Sequence, residues 1–288
     1  MKDTINFPNL HIQLDHVGQG ITIGGFTIHY YGIIIALGMI AGVSIVCWMA
    51  KKTGQKPDDY LDLALYAIVG AIIGARLYYV AFRWSSYRDN LWKIFQIREG
   101  GLAIYGGVIA GAVITGIYCK VKKKNAGLVC DTAVLGLVLG QAIGRWGNFF
   151  NREVFGGYTD NLFAMQLPVS RVRAEDITAE LNQHILYLGE DHTPFIQVHP
   201  TFLYESLWNV CLLVFLLWFT GKKKFHGQIF LLYLFGYGVG RFWIEAIRTD
   251  QLKIPYLNVP VSMVVAAVMI LGSAIAMAIG LRAKKKRA

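Results

Sequence analysis

An all-α integral membrane protein, with seven transmembrane helices and an extracytoplasmic head region between spans 4 and 5, is the fold this sequence predicts. Three observations lead there. Of 288 residues, 55% are hydrophobic and only 16% charged, where a soluble domain carries about 25% charged residues. Apolar runs near the ~20 residues needed to cross a bilayer recur along the chain. The basic residues collect in short clusters at the ends of those runs.

The N-terminal stretch MKDTINFPNLHIQLDH is polar and mixed in charge, without the basic start and short apolar core of a cleavable signal peptide. Span 1, residues 26–50, contains HYYG (His29–Gly32) and closes on Lys51 and Lys52. Span 2, residues 60–82, starts beside Asp62, a capping or interfacial carboxylate. Span 3, residues 102–119, opens within EGGLAIYGG and places Tyr105 there. Span 4, residues 127–149, ends in AIGRWGNFFNREVFGG (Ala142–Gly157), where Arg145, Asn148, Asn151, Arg152 and Glu153 stand among glycines. Residues 151–198 form the head region. Span 5, residues 202–220, is introduced by HPTFLYE, with His199, Tyr204 and Glu205. Spans 6 and 7 cover residues 228–247 and 258–281. Cys47, Cys119, Cys130 and Cys211 lie in or at the ends of apolar runs with no metal-ligand spacing, and read as packing residues. His184 and His192 show no HExxH-like spacing and read as surface residues, so no metal site is expected.

Orientation follows from the basic residues, which accumulate in cytoplasmic loops. One side carries Lys51, Lys52 and Lys56, then Lys120, Lys122, Lys123 and Lys124, then Lys222, Lys223 and Lys224, and a tail with Arg282, Lys284, Lys285, Lys286 and Arg287. The other has fewer basic residues in longer segments: Lys2, Arg83, Arg88, Lys93, Arg98, Arg152, Arg171, Arg173, Arg248 and Lys253. The dense side is inside, which puts the N-terminus outside and the C-terminus in the cytoplasm. The net charge of +10 is then a lysine fringe facing anionic lipid headgroups. Nucleic-acid binding is excluded, because the clusters are short, scattered and at span ends.

The basic residues left within spans are Arg76, Arg145 and Arg241. A charge at membrane depth costs a few kcal/mol or more and marks function. Arg76 is six residues before Phe82, about 9 Å below the outer end at 1.5 Å per residue. Arg145 and Arg241 are at similar or shallower depth. Tyr237, Arg241, Glu245 and Arg248 are spaced by 4, 4 and 3 and form one helical stripe. Glycines flank the arginines, and small residues let helices and headgroups approach closely. A single arginine near a span end can simply snorkel, and Tyr30, Tyr78, Trp84, Trp92 and Trp243 read as interfacial belt aromatics. Three arginines at one depth, together with Glu205 and Glu245, instead predict an anion-binding cavity open to the outer leaflet. Guanidinium forks match phosphate oxygens, and a phospholipid headgroup fits both depth and charge.

At this point the sequence resembles a known family. GRWGNFFNREVFG (Gly144–Gly156) matches every fixed position of G-R-x-G-N-F-x-N-x-E-x-x-G, the signature of prolipoprotein diacylglyceryl transferases. HYYG, GARLYYV, HPTFLYE, GYGVGRFWIEAIR and SRVRAEDI are similar to further family blocks, and the likeness covers nearly the whole chain. The resemblance implies a multi-pass protein of the bacterial cytoplasmic (inner) membrane. It implies transfer of a diacylglyceryl group from phosphatidylglycerol to the lipobox cysteine of a prolipoprotein signal peptide, with release of glycerol phosphate and no cofactor. It assigns Arg145 to the lipid phosphate, with Arg241 second, oriented by Glu245 and Tyr237. Tyr31, Asn148, Asn151, Glu153 and Gly156 map onto family positions lining the site, and Arg76, Glu205 and Arg248 complete the expected substrate-binding set. One position departs. Many family members carry histidine in an H-G-G run where this chain has Tyr105 in YGG. Histidine titrates near about 6.5, a thiol near about 8.5 and tyrosine near about 10. Either Tyr105 serves by hydrogen bonding, or the arginines acidify the thiol directly, or another group is the base.

Other seven-span chemistries fit less well. An anionic lipid or solute transporter calls for repeats and broken helices near mid-membrane, and for polar groups continuing to the inner half. Here the charges stay in one leaflet. A retinal receptor needs a lysine in the last span, and residues 258–281 contain none. Ser262 and Ser273 have no histidine partner there for an intramembrane serine protease.

Overall fold

The computed structural model describes residues 3–97 and 100–285. Lys2, Arg98, Lys286 and Arg287, which enter the charge comparison, lie outside the described residues. Among the described residues, seven helices are long and apolar enough to cross a membrane. They are α1 (Tyr30–Lys52), α2 (Pro57–Phe82), α3 (Ile104–Val121), α4 (Ala126–Asn151), α6 (Thr201–Thr220), α7 (Gln228–Ile247) and α8 (Val261–Lys285); α5 (Ala179–Gln183) is a short helix between α4 and α6. The chain forms two compact units, Val43–Ala133 and Met1–Gly42 with Val134–Ala288.

The Val43–Ala133 unit is built on the α2/α3 pair. Pro57 in the first turn of α2, followed by Asp58 and Asp59, suits a helix N-terminus, where no amide partner is needed and negative charge is favoured. The two helices meet at glycines: a Cβ on Gly74 would lie 2.8 Å from the Gly106 carbonyl oxygen. Val46, Ala50, Tyr60, Leu63, Tyr118, Cys119 and Val129 form its core. Tyr118 donates to the Asp59 carbonyl at 2.8 Å, and Lys124 pairs with the Asp59 carboxylate.

The other unit carries a glycine seam between α1 and α4. A Cβ on Gly42 would sit 2.8 Å from the Gly136 carbonyl oxygen, and Gly38 faces Gly140 in the same way at 3.5 Å. Without side chains to hold them apart, the backbones pack directly, which is how helices associate in lipid. Farther along α4, Gly147 lies under the ring of Tyr31. Gly236 and Gly240 of α7 receive Leu212 and Trp208 of α6, and Gly238 faces Ala266 and Ile270 of α8.

Outside the long helices this unit carries short β-strands among turns and irregular segments. Strands β1 (Ile5–Phe7), β2 (Ile12–Leu14), β5 (Met165–Pro168), β6 (Leu186–Leu188) and β7 (Thr193–Val198) form an antiparallel sheet in the order β2-β1-β5-β7-β6. One face packs Ile5, Phe7, Met165, Leu167, Ile196 and Val198 against Phe149 and Phe202 at the ends of α4 and α6. A buried amide ladder crosses the sheet: Asn6 donates to Gln166 (3.4 Å), Gln166 to Gln197 (2.9 Å) and Gln197 to the Thr159 carbonyl (2.8 Å). The all-α expectation thus describes the seven long helices, and the segments flanking them add this sheet. Span 1 also starts later than residue 26. Phe26–His29 is β4, paired with β3 (Gly20–Ile23) around Gly24 and Gly25, whose φ values are +56° and +83°. Short apolar runs do not distinguish strand from helix, whereas Gly-Gly between alternating residues is a hairpin signal.

Candidate active site

The site grows from three helix ends. Arg145 and Asn148 lie in the last two turns of α4, Glu205 in the first two turns of α6, and Arg241 and Glu245 in the last two turns of α7. Glu205 is the hub. It is 4% exposed; its Oε2 forms an ion pair with Arg145 Nε at 2.7 Å, and its Oε1 accepts from Arg241 Nη1 at 3.0 Å. Arg248 Nη1 approaches Oε1 at 4.0 Å. Glu245, one turn beyond Arg241, forms ion pairs through Oε2 with Arg241 Nη2 at 2.6 Å and Arg248 Nη1 at 3.4 Å. Two buried carboxylates therefore bridge three guanidiniums, and a third carboxylate at the rim balances the charge. Arg248 is steadied at the rim by Asp250, which accepts its Nε and Nη2 at 2.9 and 2.8 Å. Among the described residues neither Nη of Arg145 has a hydrogen-bond partner, and Glu205 is the ion-pair partner of its guanidinium. That half of the fork remains free for an anion.

A second group forms where α4 ends. Asn148 and Asn151 both donate to Glu153 Oε1, at 3.0 and 3.2 Å, and Arg173 donates to Oε2 at 3.2 Å. Tyr31 lies within electrostatic range of both Glu153 and Arg145. Tyr237 sits one turn before Arg241 and stacks on Tyr233 at 5.5 Å. His199, Tyr204 and Asn161 make a polar cluster with contacts of 3.0–3.4 Å, and burial pushes the His199 imidazole below its ordinary pKa.

Gly156 acts through its backbone. Its N–H donates to the His199 carbonyl at 3.0 Å, the His199 N–H to Gly157 at 3.1 Å, and the Gly157 N–H to Ile247 at 2.9 Å. A Cβ on Gly156 would be 2.8 Å from both His199 Cβ and the Ile247 carbonyl oxygen. The missing side chain lets the chain leaving α4 run between the segment entering α6 and the one leaving α7. That seam brings the three arginine-bearing and glutamate-bearing ends together.

Arg76 and Tyr105 belong to the Val43–Ala133 unit. Every N–H of the Arg76 guanidinium meets a backbone carbonyl. Nε donates to Ile94 (2.8 Å), Nη1 to Gly100 and Gly101 (2.8 and 2.9 Å), and Nη2 to Lys93 and Gln96 (2.5 and 3.3 Å). In this conformation no donor is left for a phosphate, so the geometry favours Arg76 as the clamp of the loop between α2 and α3. Tyr105 is the second residue of α3 and 40% exposed. The helix start is fixed by the Ala103 N–H, which donates to Ala75 at 3.0 Å.

Sequence reasoning singled out neither Asp250 nor Arg173. Asp250 had a signal, a carboxylate two residues past Arg248. Arg173 had only its place in the SRVRAEDI block, and its contact with Glu153 spans 20 residues.

The prolipoprotein diacylglyceryl transferase family model matches residues 19–279. A phosphatidylglycerol–prolipoprotein diacylglyceryl transferase of Clostridioides difficile (strain 630) is 41% identical over 255 residues, covering 88% of this chain and 92% of the relative. A protein of the same name from Clostridium botulinum (strain Langeland / NCTC 10281 / Type F) is 39% identical over 237 residues, 82% of this chain and 87% of the relative. Another, from Thermosynechococcus vestitus (strain NIES-2133 / IAM M-273 / BP-1), is 38% identical over 244 residues, 84% of this chain and 85% of the relative. With seven membrane-type helices, the arginine–glutamate cluster and these matches together, the chain belongs to the prolipoprotein diacylglyceryl transferase family and is a multi-pass membrane protein.

Proposed function

We propose that this chain transfers the diacylglyceryl group of phosphatidylglycerol to the lipobox cysteine of prolipoproteins, at the outer face of the bacterial cytoplasmic membrane. The names of its relatives support the activity. The lysine-rich loops support the orientation. The observation that carries the mechanism is the Glu205-centred cluster with the open half of Arg145. The precursor thiolate attacks the glyceryl carbon bearing the phosphate ester. A C–S bond forms, the C–O bond breaks, and its electron pair leaves on glycerol phosphate. Positioned donors aimed at that departing charge lower the barrier, and two substrates held in line supply the rest. Arg145 grips the phosphate with its Nη pair. Arg241, held between Glu205 and Glu245, supplies the second cation, and Asn148, Asn151, Glu153 and Tyr31 line the approach. The test is incubation of purified protein with phosphatidylglycerol vesicles and a lipobox peptide, followed by mass spectrometry of the cysteine. Diacylglyceryl addition is expected with phosphatidylglycerol. Equal transfer from phosphatidylethanolamine alone would sink the headgroup assignment.

Tyr105 serves as a hydrogen-bond donor to substrate, and the arginines stabilise the thiolate. A phenol titrating near about 10 is a poor base at neutral pH. Tyr105→Phe removes one hydrogen bond, worth roughly 0.5–1.5 kcal/mol, or up to about 3 if charge-assisted. The variant is expected to be slowed about 3- to 100-fold with its pH profile intact. A pH–rate series decides the matter: near-total loss together with loss of a titrating limb would make the phenolate the base.

A further inference from the structure

Between Asn151 and Glu153 stands a residue that the family signature leaves open. Arg152 follows the end of α4 in a left-handed conformation, φ +54°. Its N–H donates to the Phe149 carbonyl at 3.2 Å, and the Glu153 N–H donates to Asn148, also at 3.2 Å. This pair of bonds is a Schellman ending, whose left-handed position usually falls to glycine. A side chain there is strained and persists only where its surroundings hold it.

The surroundings are the N-terminal segment. The Arg152 side chain is fully buried. Its Nη2 donates to the Val17 carbonyl and, at 3.4 Å, to the Asp3 carbonyl, and Nη1 donates to Phe150 at 3.3 Å. The Asp3 carboxylate is 3.9 Å from Arg152 Nη2 and 2.8 Å from Arg171 Nη2. The Val17 N–H closes the segment by donating to the Asp3 carbonyl at 2.9 Å. Burial pushes the Arg152 pKa down, and Asp3 opposes the shift. The guanidinium is thus enclosed by residues 3–17 on one side and by the α4 ending on the other.

We propose that Arg152 is a positioning residue. By gripping the N-terminal segment it fixes the left-handed turn that aims Glu153, and through Glu153 the amides of Asn148 and Asn151, at the lipid substrate. This rests on the proposed assignment of those three residues to substrate binding. The N-terminal segment is then a working part of the site.

Glycine suits the left-handed turn, so Arg152→Gly removes the grip while keeping a residue at home in that backbone. The variant, Glu153→Gln, their double variant, Arg152→Lys and the milder Asp3→Asn are each assayed as the full chain. Phosphatidylglycerol vesicles and a lipobox peptide serve as substrates, well below the thermal midpoint. Arg152→Gly is expected to raise KM for phosphatidylglycerol at least about fivefold with kcat changed less than about twofold, because ground-state binding is what loosens. Adding Glu153→Gln should raise KM no further, since both changes act on one contact set. Arg152→Lys should recover part of the loss, and Asp3→Asn should shift KM the same way by less. A lowered thermal midpoint with KM unchanged would make Arg152 structural only and overturn the proposal. Fully additive effects would overturn its route through Glu153. An unaltered KM in Glu153→Gln itself would refute the substrate assignment underneath, and this inference with it.

Discussion

Arg145→Ala is expected to keep the fold and lose at least about 100-fold in kcat/KM, about 2.7 kcal/mol of transition-state stabilisation. Arg145 meets Glu205 at Nε, and neither of its Nη groups has a hydrogen-bond partner among the described residues. What the alanine removes is therefore mostly a donor pair aimed outward. Lysine should restore only part of the rate, because a point charge cannot accept the pairing with Glu205 and grip a phosphate with a fork at once. Single-turnover rates on protein with an unchanged elution profile and thermal midpoint check this. Near-wild-type turnover of Arg145→Ala would reduce Arg145 to a partner of Glu205.

Glu205→Gln is expected to damage both stability and activity. The carboxylate is buried and shared by Arg145 and Arg241, with Arg248 nearby. Neutralising it leaves guanidiniums facing one another away from water. Removing one partner of a buried ion pair costs about 3–5 kcal/mol. Activity should fall by at least about 100-fold, since neither Arg145 nor Arg241 keeps its orientation. A second change separates the two effects. Arg241→Gln placed on Glu205→Gln removes one uncompensated cation, and should recover part of the thermal midpoint while leaving activity lost. If Glu205→Gln melts and turns over like the parent protein, the carboxylate is not the hub.

The seven helices were legible because a bilayer demands long apolar runs, and each run ends where lysines or polar clusters interrupt it. The arginine–glutamate cluster was legible for a related reason. Charges are so disfavoured at that depth that Arg145, Arg241, Glu205 and Glu245 had few partners except one another, and the 4-4-3 spacing of Tyr237, Arg241, Glu245 and Arg248 put them on one stripe. Arg76 shows the limit. A buried arginine looks the same in sequence whether it awaits a ligand or is spent on five backbone carbonyls, because carbonyls leave no mark on side-chain identity. Gly156 likewise matched the signature, but its work is a close approach between segments distant in sequence. The five-stranded sheet was not legible from periodicity. Its strands are three to six residues long, and β7 is buried along its last four positions, so alternation is lost. The N-terminal strands could be placed only through β5, for which no local pattern exists.

That β1–β5 pairing has a consequence for how the chain is made. Asn6 and Gln166, joined across it, are 160 residues apart. The N-terminal strand is synthesised first, yet its inner edge has no neighbour until four spanning helices and the whole of β5 have followed it. Until then Ile5 and Phe7, which end fully or nearly buried, have only β2 for company. Long-range pairings close slowly, because chain entropy must be overcome before any contact rewards it. The interval leaves an open strand edge beside apolar side chains, the kind of surface that misassembles. Arg152 and the α4 ending arrive just before β5. The emergence of residues 152–198 is therefore the moment at which the oldest part of the chain finds its place.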